Sequence, residues 1–271
     1  PEQKFEIIET LQERYITGFL GEGINDAPAL KRAGVSMVVQ SAADIAREAA
    51  DIILLQQDLE VIVKGIRTGR AVFANSVKYL KATLASNFGH FYAIAIGSLF
   101  ISFLPMLPLQ ILLVNLLSDF PMISIATDTV DRAELSRPRR YDVREIVLAA
   151  TTLGIVVTVF DLMFFAFFFQ QGDQVLQTNW FIGSILTELV FLFSIRTRLP
   201  FYQAQRPSGY VLGLTGVAIA ATLILPFTAL GQTFFHFVAP SSLHLGIIIG
   251  LVAAFFICAE LVKAAYYRFT G

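Results

Sequence analysis

Residues 18–30, "GFLGEGINDAPAL", set an acidic, glycine-rich turn between a β-rich run and a helix-forming one. Gly21 and Gly23 let the backbone turn tightly and approach a ligand. Glu22, Asn25 and Asp26 then offer hard oxygen donors at the carboxyl edge of a strand, where open α/β sheets bind their ligands. Mg²⁺ takes a few carboxylates together with waters and phosphate oxygens. As a bare pattern the turn reads equally as a phosphate-and-metal loop or as a polar turn with helix caps.

Working outward, "FEIIETLQE" (5–13) has helical spacing at Phe5, Ile8 and Leu11. "YITGFL" (15–20), "VSMVV" (35–39) and "DIILL" (51–55) read as strands. Between them, "APALKRAG" (27–34) is a helix stopped at Gly34, and "SAADIAREAA" (41–50) is a helix with Ser41 or Asp44 near its start. Short connections between alternating strands and helices predict a parallel sheet covered by helices. Three strands are too few for a complete doubly wound domain. The expectation is that further strands precede Pro1 and that the chain is a portion of something longer.

From Leu59 the pattern turns helical, with no proline before Pro105. It begins amphipathic and becomes apolar after Lys81. Six apolar spans follow, at about 82–104, 107–126, 145–169, 178–195, 209–230 and 243–264. Each is near the ~20 residues needed to cross a hydrocarbon core. All 20 Lys and Arg lie in 1–81, 132–144, 196–206 or 263–268, so every second loop is basic. That segregation assigns those loops, the N-terminal domain and the C-terminus to the cytoplasm; six buried helices of a large globular protein would not produce it. The composition agrees: of 271 residues 55% are hydrophobic and 15% charged, with 25 Phe, and mean hydropathy is +0.66. A net charge of −1 gives no field for nucleic acid. The single cysteine, Cys258, reads as a buried small hydrophobe and excludes a disulfide framework.

Polar groups at membrane depth are costly and mark function. "SNFGH" puts Ser86, Asn87 and His90 in the first span, and "NLLSDFP" puts Asn115, Ser118 and Asp119 in the second. Asn115 and Asp119, four apart, share a helix face. Pro121 lacks an N–H and frees the Leu117 carbonyl. An unwound segment with a carboxylate, amides and free carbonyls makes a cation cage, and Gly89 lets the first two spans approach closely. The competing reading is that Asn87 and Asp119 only bond the helices together. Asp161 and Glu188 are weaker candidates, as further ligands, proton-coupling groups or packing residues; the packing role is favoured for Asp161. His90 reads as a helix–helix hydrogen bonder, His236 and His244 as solvated, Trp180 as an interface anchor, and Glu260 as a partner for Lys263. The basic loop 128–142 reads as solvated, with a docking role against the soluble domain as the alternative.

"GEGINDAPALK", preceded by "PEQK" and followed by "DIAREAADIILL", resembles the phosphorylation domain of P-type ATPases. The resemblance implies a HAD-like, Rossmannoid fold for 1–58, a stalk helix at 59–81, and a transmembrane domain at 82–271 matching the family's M5 to M10. It implies that Lys4 contacts an aspartyl-phosphate, that Glu22 and Asp26 hold the catalytic Mg²⁺, and that Asn25 and Asp26 complete the site, with ATP as the substrate of the whole enzyme. The family has aspartate where this chain has Glu22; the carboxylate survives one methylene further out, which implies slower hydrolysis or a metal held through water. The family's DKTGT and TGES motifs are not in this sequence, so by resemblance this portion alone does not form the phosphoenzyme. The M5–M6 resemblance carries the transport site to Asn87, Asn115 and Asp119. The strings "SNFGH", "FLPMLPLQILLVNLLSDFPMISIATDTVD" and "RPRRYD" look most like the bacterial magnesium-transporting branch, which imports Mg²⁺ across the cytoplasmic membrane. A proton pump is the nearest rival. A Ca²⁺ pump ranks below it, because Ca²⁺ wants several carboxylates. A noncatalytic membrane protein with a retired ATPase domain is the remaining alternative.

Overall fold

The computed structural model describes residues 2–136, 138 and 140–270; Arg137 and Arg139, in the basic loop, and both terminal residues lie outside the described residues. The chain divides into two units, up to Thr68 and from Gly69 onward.

The first unit runs α1 (Glu2–Gln12), β1 (Gly18–Gly21), α2 (Ala27–Arg32), β2 (Val35–Val39), α3 (Asp44–Ala49) and β3 (Ile52–Leu54). The strands form one parallel sheet in the order β1-β2-β3, with Gly18 opposite Val35 and Met37 opposite Ile52. Leu30, Val38, Val39, Ala42 and Ala46 form its core. The register of β3 on β2 has a polar lock. The Asp51 carboxylate accepts from the Ser36 N–H (2.9 Å) and hydroxyl (2.8 Å), and the Asp51 N–H donates to Ser36 Oγ (2.9 Å). These Ser36 donors hold the Asp51 carboxyl below its ordinary value. One expectation is corrected. The first strand starts at Gly18 rather than at Tyr15, because the Arg14 and Tyr15 amides still bond the Leu11 carbonyl and finish α1. α3 starts at Asp44, as expected; its cap position is Ala43, Asp44 pairs with Arg47, and Ser41 Oγ accepts from Gln57.

α4 runs from Leu59 to Gly97, so the division between the units falls within it. The second unit continues with α5 (Pro108–Ser124), α6 (Arg132–Leu135), α7 (Val143–Phe168), α8 (Asp173–Ile195), α9 (Gly209–Ile224), α10 (Ala229–Phe234) and α11 (Ser242–Thr270). Among the described residues five helical stretches are long and apolar enough to cross a membrane: Pro108–Thr127, Val143–Gln171, Asp173–Ile195, Gly209–Phe227 and Ser242–Arg268. The sixth expected span does not qualify by composition, since Lys81, Ser86, Asn87 and His90 dilute its apolar character. Its helix stops at Gly97, not at residue 104, in a turn where the Ser98–Ile101 amides bond back to carbonyls between Ile94 and Gly97.

α8 is the central helix, packed against α5, α7, α9 and α11. Trp180, Phe181, Ile182, Ile185, Leu189, Phe191 and Leu192 are all buried on it. Lipid tails supply no hydrophobic drive between helices, so such a bundle is held by close van der Waals packing and by polar bridges. Gly89 and Gly154 supply the closest approach. A Cβ on Gly89 would sit 2.3 Å from the Val157 Cβ, and one on Gly154 3.1 Å from the Ala85 carbonyl. Gly89 therefore brings α4 against α7, not against α5 as expected.

The basic residues converge at one end of the bundle. Lys81 Nζ (2.7 Å) and Arg198 Nη2 (2.9 Å) donate to Glu145. Lys263 Nζ donates to Glu260 (2.6 Å) and to the Ser194 and Leu199 carbonyls. The opposite end is tied by uncharged groups: Gln177 to the Leu104 carbonyl, Gln110 to the Phe235 carbonyl, and the Val238 N–H to Thr178. That segregation matches the alternation of basic loops in the sequence.

Candidate functional site

In the first unit the acidic turn closes on Asp26. β1 delivers the chain to Gly21, residues Ile24–Asp26 form a single 3₁₀ turn, and α2 follows with Pro28 in its first turn. Asp26 is 6% exposed. Its Oδ1 accepts from Lys4 Nζ at 2.7 Å, and its Oδ2 accepts from the Glu22 and Gly23 N–H groups, each at 3.2 Å. The Lys4 hydrogen bond, with those two N–H groups, holds the Asp26 carboxyl below its ordinary value against the burial that pushes it up. Gly21 makes this possible by its lack of bulk: a Cβ there would lie 2.8 Å from the Asp26 Cβ. A Cβ on Gly23 would meet nothing closer than 3.7 Å, so the need for a bare backbone, expected at both glycines, rests on Gly21. Glu22 and Asn25 are exposed. Glu22 lines an open pocket with Leu20, Val39, Leu54, Gln57, Asp58 and Leu59, at the carboxyl edge of the sheet.

The donor set of this turn is all oxygen, which fits Mg²⁺. Asp26 is already committed to Lys4 and two amides, so Glu22 and Asn25 are the groups with free oxygens. No cluster of three His, Cys, Asp or Glu suited to a metal occurs among the described residues. A Mg²⁺ held here would take the rest of its shell from water and phosphate oxygens.

In the second unit Asn115 and Asp119 both lie exposed on α5, one turn apart, while Ser118 between them is buried. Their side chains and that of Asn87, also exposed, make no hydrogen bond among the described residues. α5 is not unwound: it continues through Pro121 to Ser124. The proline still removes the donor for the partly buried Leu117 carbonyl. A second polar group lies inside the bundle. Asp161 of α7 is 1% exposed, with Oδ2 2.7 Å from His90 Nδ1 of α4 and Oδ1 accepting from Trp180 Nε1 of α8 at 2.8 Å. Both Asp161 oxygens are thus engaged by groups on α4 and α8. Glu188 of α8 is partly buried, with the Ser118 hydroxyl within reach.

Several residues differ from their sequence reading. Trp180 is no interface anchor: α8 starts at Asp173, five residues before the expected span, so Trp180 falls two turns inside and is 2% exposed. His244 is partly buried and within 3.3 Å of Asn179, whereas His236 is exposed as expected. Cys258 is only partly buried. Glu260 does pair with Lys263.

The basic loop is the largest departure. Asp128, Asp131 and Glu134 are buried, not solvated. Asp128 Oδ2 accepts from Arg196 Nε at 2.6 Å and its Oδ1 from the Ser208 N–H at 2.9 Å. Asp131 accepts from Thr197 Oγ1 (2.6 Å) and the Gln205 N–H (3.1 Å). Asn75 of α4 donates to the Asp128 carbonyl at 2.8 Å. Lys78, 3.6 Å from Glu134, has its ammonium pushed down by burial against the pull of Glu134, Asp128 and Asp131. The loop after α5 is thereby fastened to α4 and to the α8–α9 connection. Sequence reasoning counted its arginines and passed over the acids between them.

The family profile described as "Cation transporting ATPase, C-terminus" matches residues 103–265. The chain is 39% identical over 240 residues to "Magnesium-transporting ATPase, P-type 1" of Salmonella typhimurium LT2, covering 85% of this chain and 26% of that protein. It is 35% identical over 280 residues to the protein of the same description from Escherichia coli K12, covering 100% of this chain and 31% of the other. It is 28% identical over 266 residues to "Calcium-transporting ATPase" of Bacillus subtilis, covering 93% and 30%. The chain thus spans under a third of the length of these relatives. An apolar helical bundle, a Lys4–Asp26 turn on a parallel sheet and a profile match over most of the bundle make this chain the C-terminal region of a P-type cation-transporting ATPase.

Proposed function

We propose that this chain supplies the cation path and part of the phosphorylation site of an ATP-driven pump that imports Mg²⁺ across a bacterial cytoplasmic membrane. The observation that carries this reading is the open α5 face, where Asn115 and Asp119 stand one turn apart, free of protein partners, beside the donor-less Leu117 carbonyl. Unpartnered polar side chains within an apolar helix are costly in lipid unless they have a ligand. Asn87 joins Asn115 and Asp119 in the proposed transport site. One carboxylate with amides and carbonyls suits a cation that keeps much of its water, as Mg²⁺ does, better than Ca²⁺, which takes 6–8 oxygens. The magnesium-transporting relatives support the same choice. A proton pump or another cation pump is the alternative within the family.

In the proposed cycle an aspartyl-phosphate forms on a residue that is not in this sequence. Lys4, held by Asp26, presents its ammonium to that phosphate. Glu22 and Asp26 would hold the catalytic Mg²⁺ with Asn25 completing the site, and the ion's charge would offset that of the phosphate oxygens. α4 belongs to both units and is the proposed link between the phosphorylation site and the bundle. The basic end of the bundle and the N-terminal unit face the cytoplasm.

The test is transport by the full-length protein reconstituted in vesicles. ATP-dependent accumulation of Mg²⁺ in preference to Ca²⁺ is expected. Accumulation of Ca²⁺ instead, or ATP-driven lumenal pH change with no Mg²⁺ uptake, would contradict the assignment.

A further inference from the structure

Lys78 of α4 belongs to neither proposed site, yet it carries a charge into the basic end of the bundle. Its side chain is 7% exposed. An ammonium has three N–H donors and no acceptor. Lys78 Nζ, shut off from bulk solvent, has no hydrogen-bond partner among the described residues. Glu134, its paired carboxylate, stands 3.6 Å away, beyond hydrogen-bond range. Asp128 and Asp131 spend their oxygens on Arg196, Thr197 and the Ser208 and Gln205 N–H groups. A buried charged donor left unsatisfied is costly, so such groups call for an acceptor. Lys78 lines a partly enclosed cavity of about 40 Å³, bounded by α4, α6, the start of α7, the end of α8 and α11. One water needs about 10–15 Å³ of such space. The cavity therefore takes a few waters or one small ion, and a lipid headgroup does not fit. Lys78, Lys81, Arg140 and Arg198 line it against Glu134, Asp142 and Glu145, an excess of one positive charge. The carboxylates are also occupied: one Glu145 oxygen takes both Lys81 and Arg198, and Asp142 accepts from the Glu145 N–H at the start of α7. Arg140, exposed at the rim, makes no hydrogen bond or ion pair among the described residues.

We infer that this cavity is a binding site for a small, singly charged inorganic anion of the chloride class, held by Lys78 from within and by Arg140 at the rim. Water alone would satisfy the ammonium donors and leave the excess charge in place, and a cation would add to it. A single negative charge does both tasks: it accepts from Lys78 and cancels the excess. A lysine's four-carbon stem is flexible, which lets the ammonium turn to an ion in the cavity. Orthophosphate, which carries more than one charge at pH 7, would leave the cavity negative. The bound anion joins α4 to the chain between α6 and α7, beside the clamp that Asp128 and Asp131 make. It is a resident ligand, neither transported nor consumed. Because it binds the folded state alone, it stabilises that state in proportion to its occupancy.

The site stands whichever cation the protein carries, so its test needs no transport. Thermal unfolding of the full-length protein in detergent is followed as sodium chloride replaces sodium gluconate at constant ionic strength, gluconate being too large for the cavity. The wild-type midpoint is expected to rise with chloride and to saturate. Lys78→Met keeps the length of the side chain and removes its donors; each variant is compared with its own midpoint in gluconate. Lys78→Met is expected to lose most of the chloride response, and Arg140→Gln to raise the half-saturating chloride concentration several-fold. In crystals grown with bromide in place of chloride, anomalous scattering is expected to place a bromide within hydrogen-bond distance of Lys78 Nζ. A wild-type midpoint indifferent to chloride, or an equal chloride response in Lys78→Met, overturns the inference. Stabilisation by orthophosphate with none by chloride overturns the singly charged assignment. Should Lys78→Met not fold, the absence of bromide beside Lys78 in the wild type overturns the site.

Discussion

Gly21→Ala and Gly23→Ala change the same loop by the same methyl group, and the structure separates their effects. At Gly21 the added Cβ would stand 2.8 Å from the Asp26 Cβ and 3.2 Å from the Phe19 ring. Ordinary carbon contacts are about 3.5–4.0 Å, so Asp26 must retreat by roughly 1 Å. Its bonds to the Glu22 and Gly23 amides start at 3.2 Å, and such a retreat carries them past hydrogen-bond range. Hydrogen bonds to a charged group contribute about 1.5–3 kcal/mol each. Part of that returns through water at the exposed rim, leaving a net loss of about 2 kcal/mol. If Asp26 positions Lys4 on the phosphate, that loss corresponds to about a 30-fold fall in phosphoenzyme formation. At Gly23 the nearest atom is 3.7 Å away and φ is −104°, so alanine fits and the change is expected to stay within about threefold. The assay is phosphorylation of the full-length pump by labelled ATP, with protein level and thermal stability measured alongside. Equal losses in the two variants, or a larger loss at Gly23, would refute the packing argument.

Two further outcomes follow from charged contacts. Asp128→Asn leaves the Arg196 guanidinium, 4% exposed, without its counter-charge; breaking a buried pair costs about 3–5 kcal/mol, so a lowered unfolding temperature in detergent is expected, and no change would show the loop clamp to be idle. Lys4→Met bears on acid stability. The folded Asp26 carboxyl titrates below its unfolded value, so its stabilising contribution is complete above the ordinary carboxylate pKa of about 3.9 and is lost as pH falls through the lower folded value. Lys4→Met removes the largest cause of that lowering, and acid unfolding of the first unit is expected to begin at higher pH. An unmoved acid transition would contradict this.

The parts of the fold that were legible are those with a local period. β2 lies where "VSMVV" places it, α1 turns Ile8 inward, and the parallel pairing follows from strand–helix alternation. The basic residues of the bundle gather at one end, as the alternation of basic loops in the sequence implies. What was not legible depends on partners far along the chain. Asp128 meets Arg196 across 68 positions and His90 meets Asp161 across 71, and no spacing rule links them. Trp180 was misplaced because the apolar span begins after the helix does: Gln174 and Gln177 lie in helical turns but precede the expected span. Gly89 was read correctly as a contact point and given the wrong neighbour, since a glycine records that a backbone comes close and not which one. In the acidic turn the sequence supplied the ligating atoms, but only the 2.8 Å spacing at Gly21 distinguishes the two glycines.

The central claim is that the open α5 face binds the transported ion. Asp119→Asn in the full-length pump tests it most directly, by measuring Mg²⁺ uptake into vesicles and phosphorylation by inorganic phosphate on the same preparation. The account predicts uptake abolished while the protein still accepts phosphate, because Lys4, Asp26 and Glu22 are untouched. Uptake at the wild-type level in Asp119→Asn would contradict it.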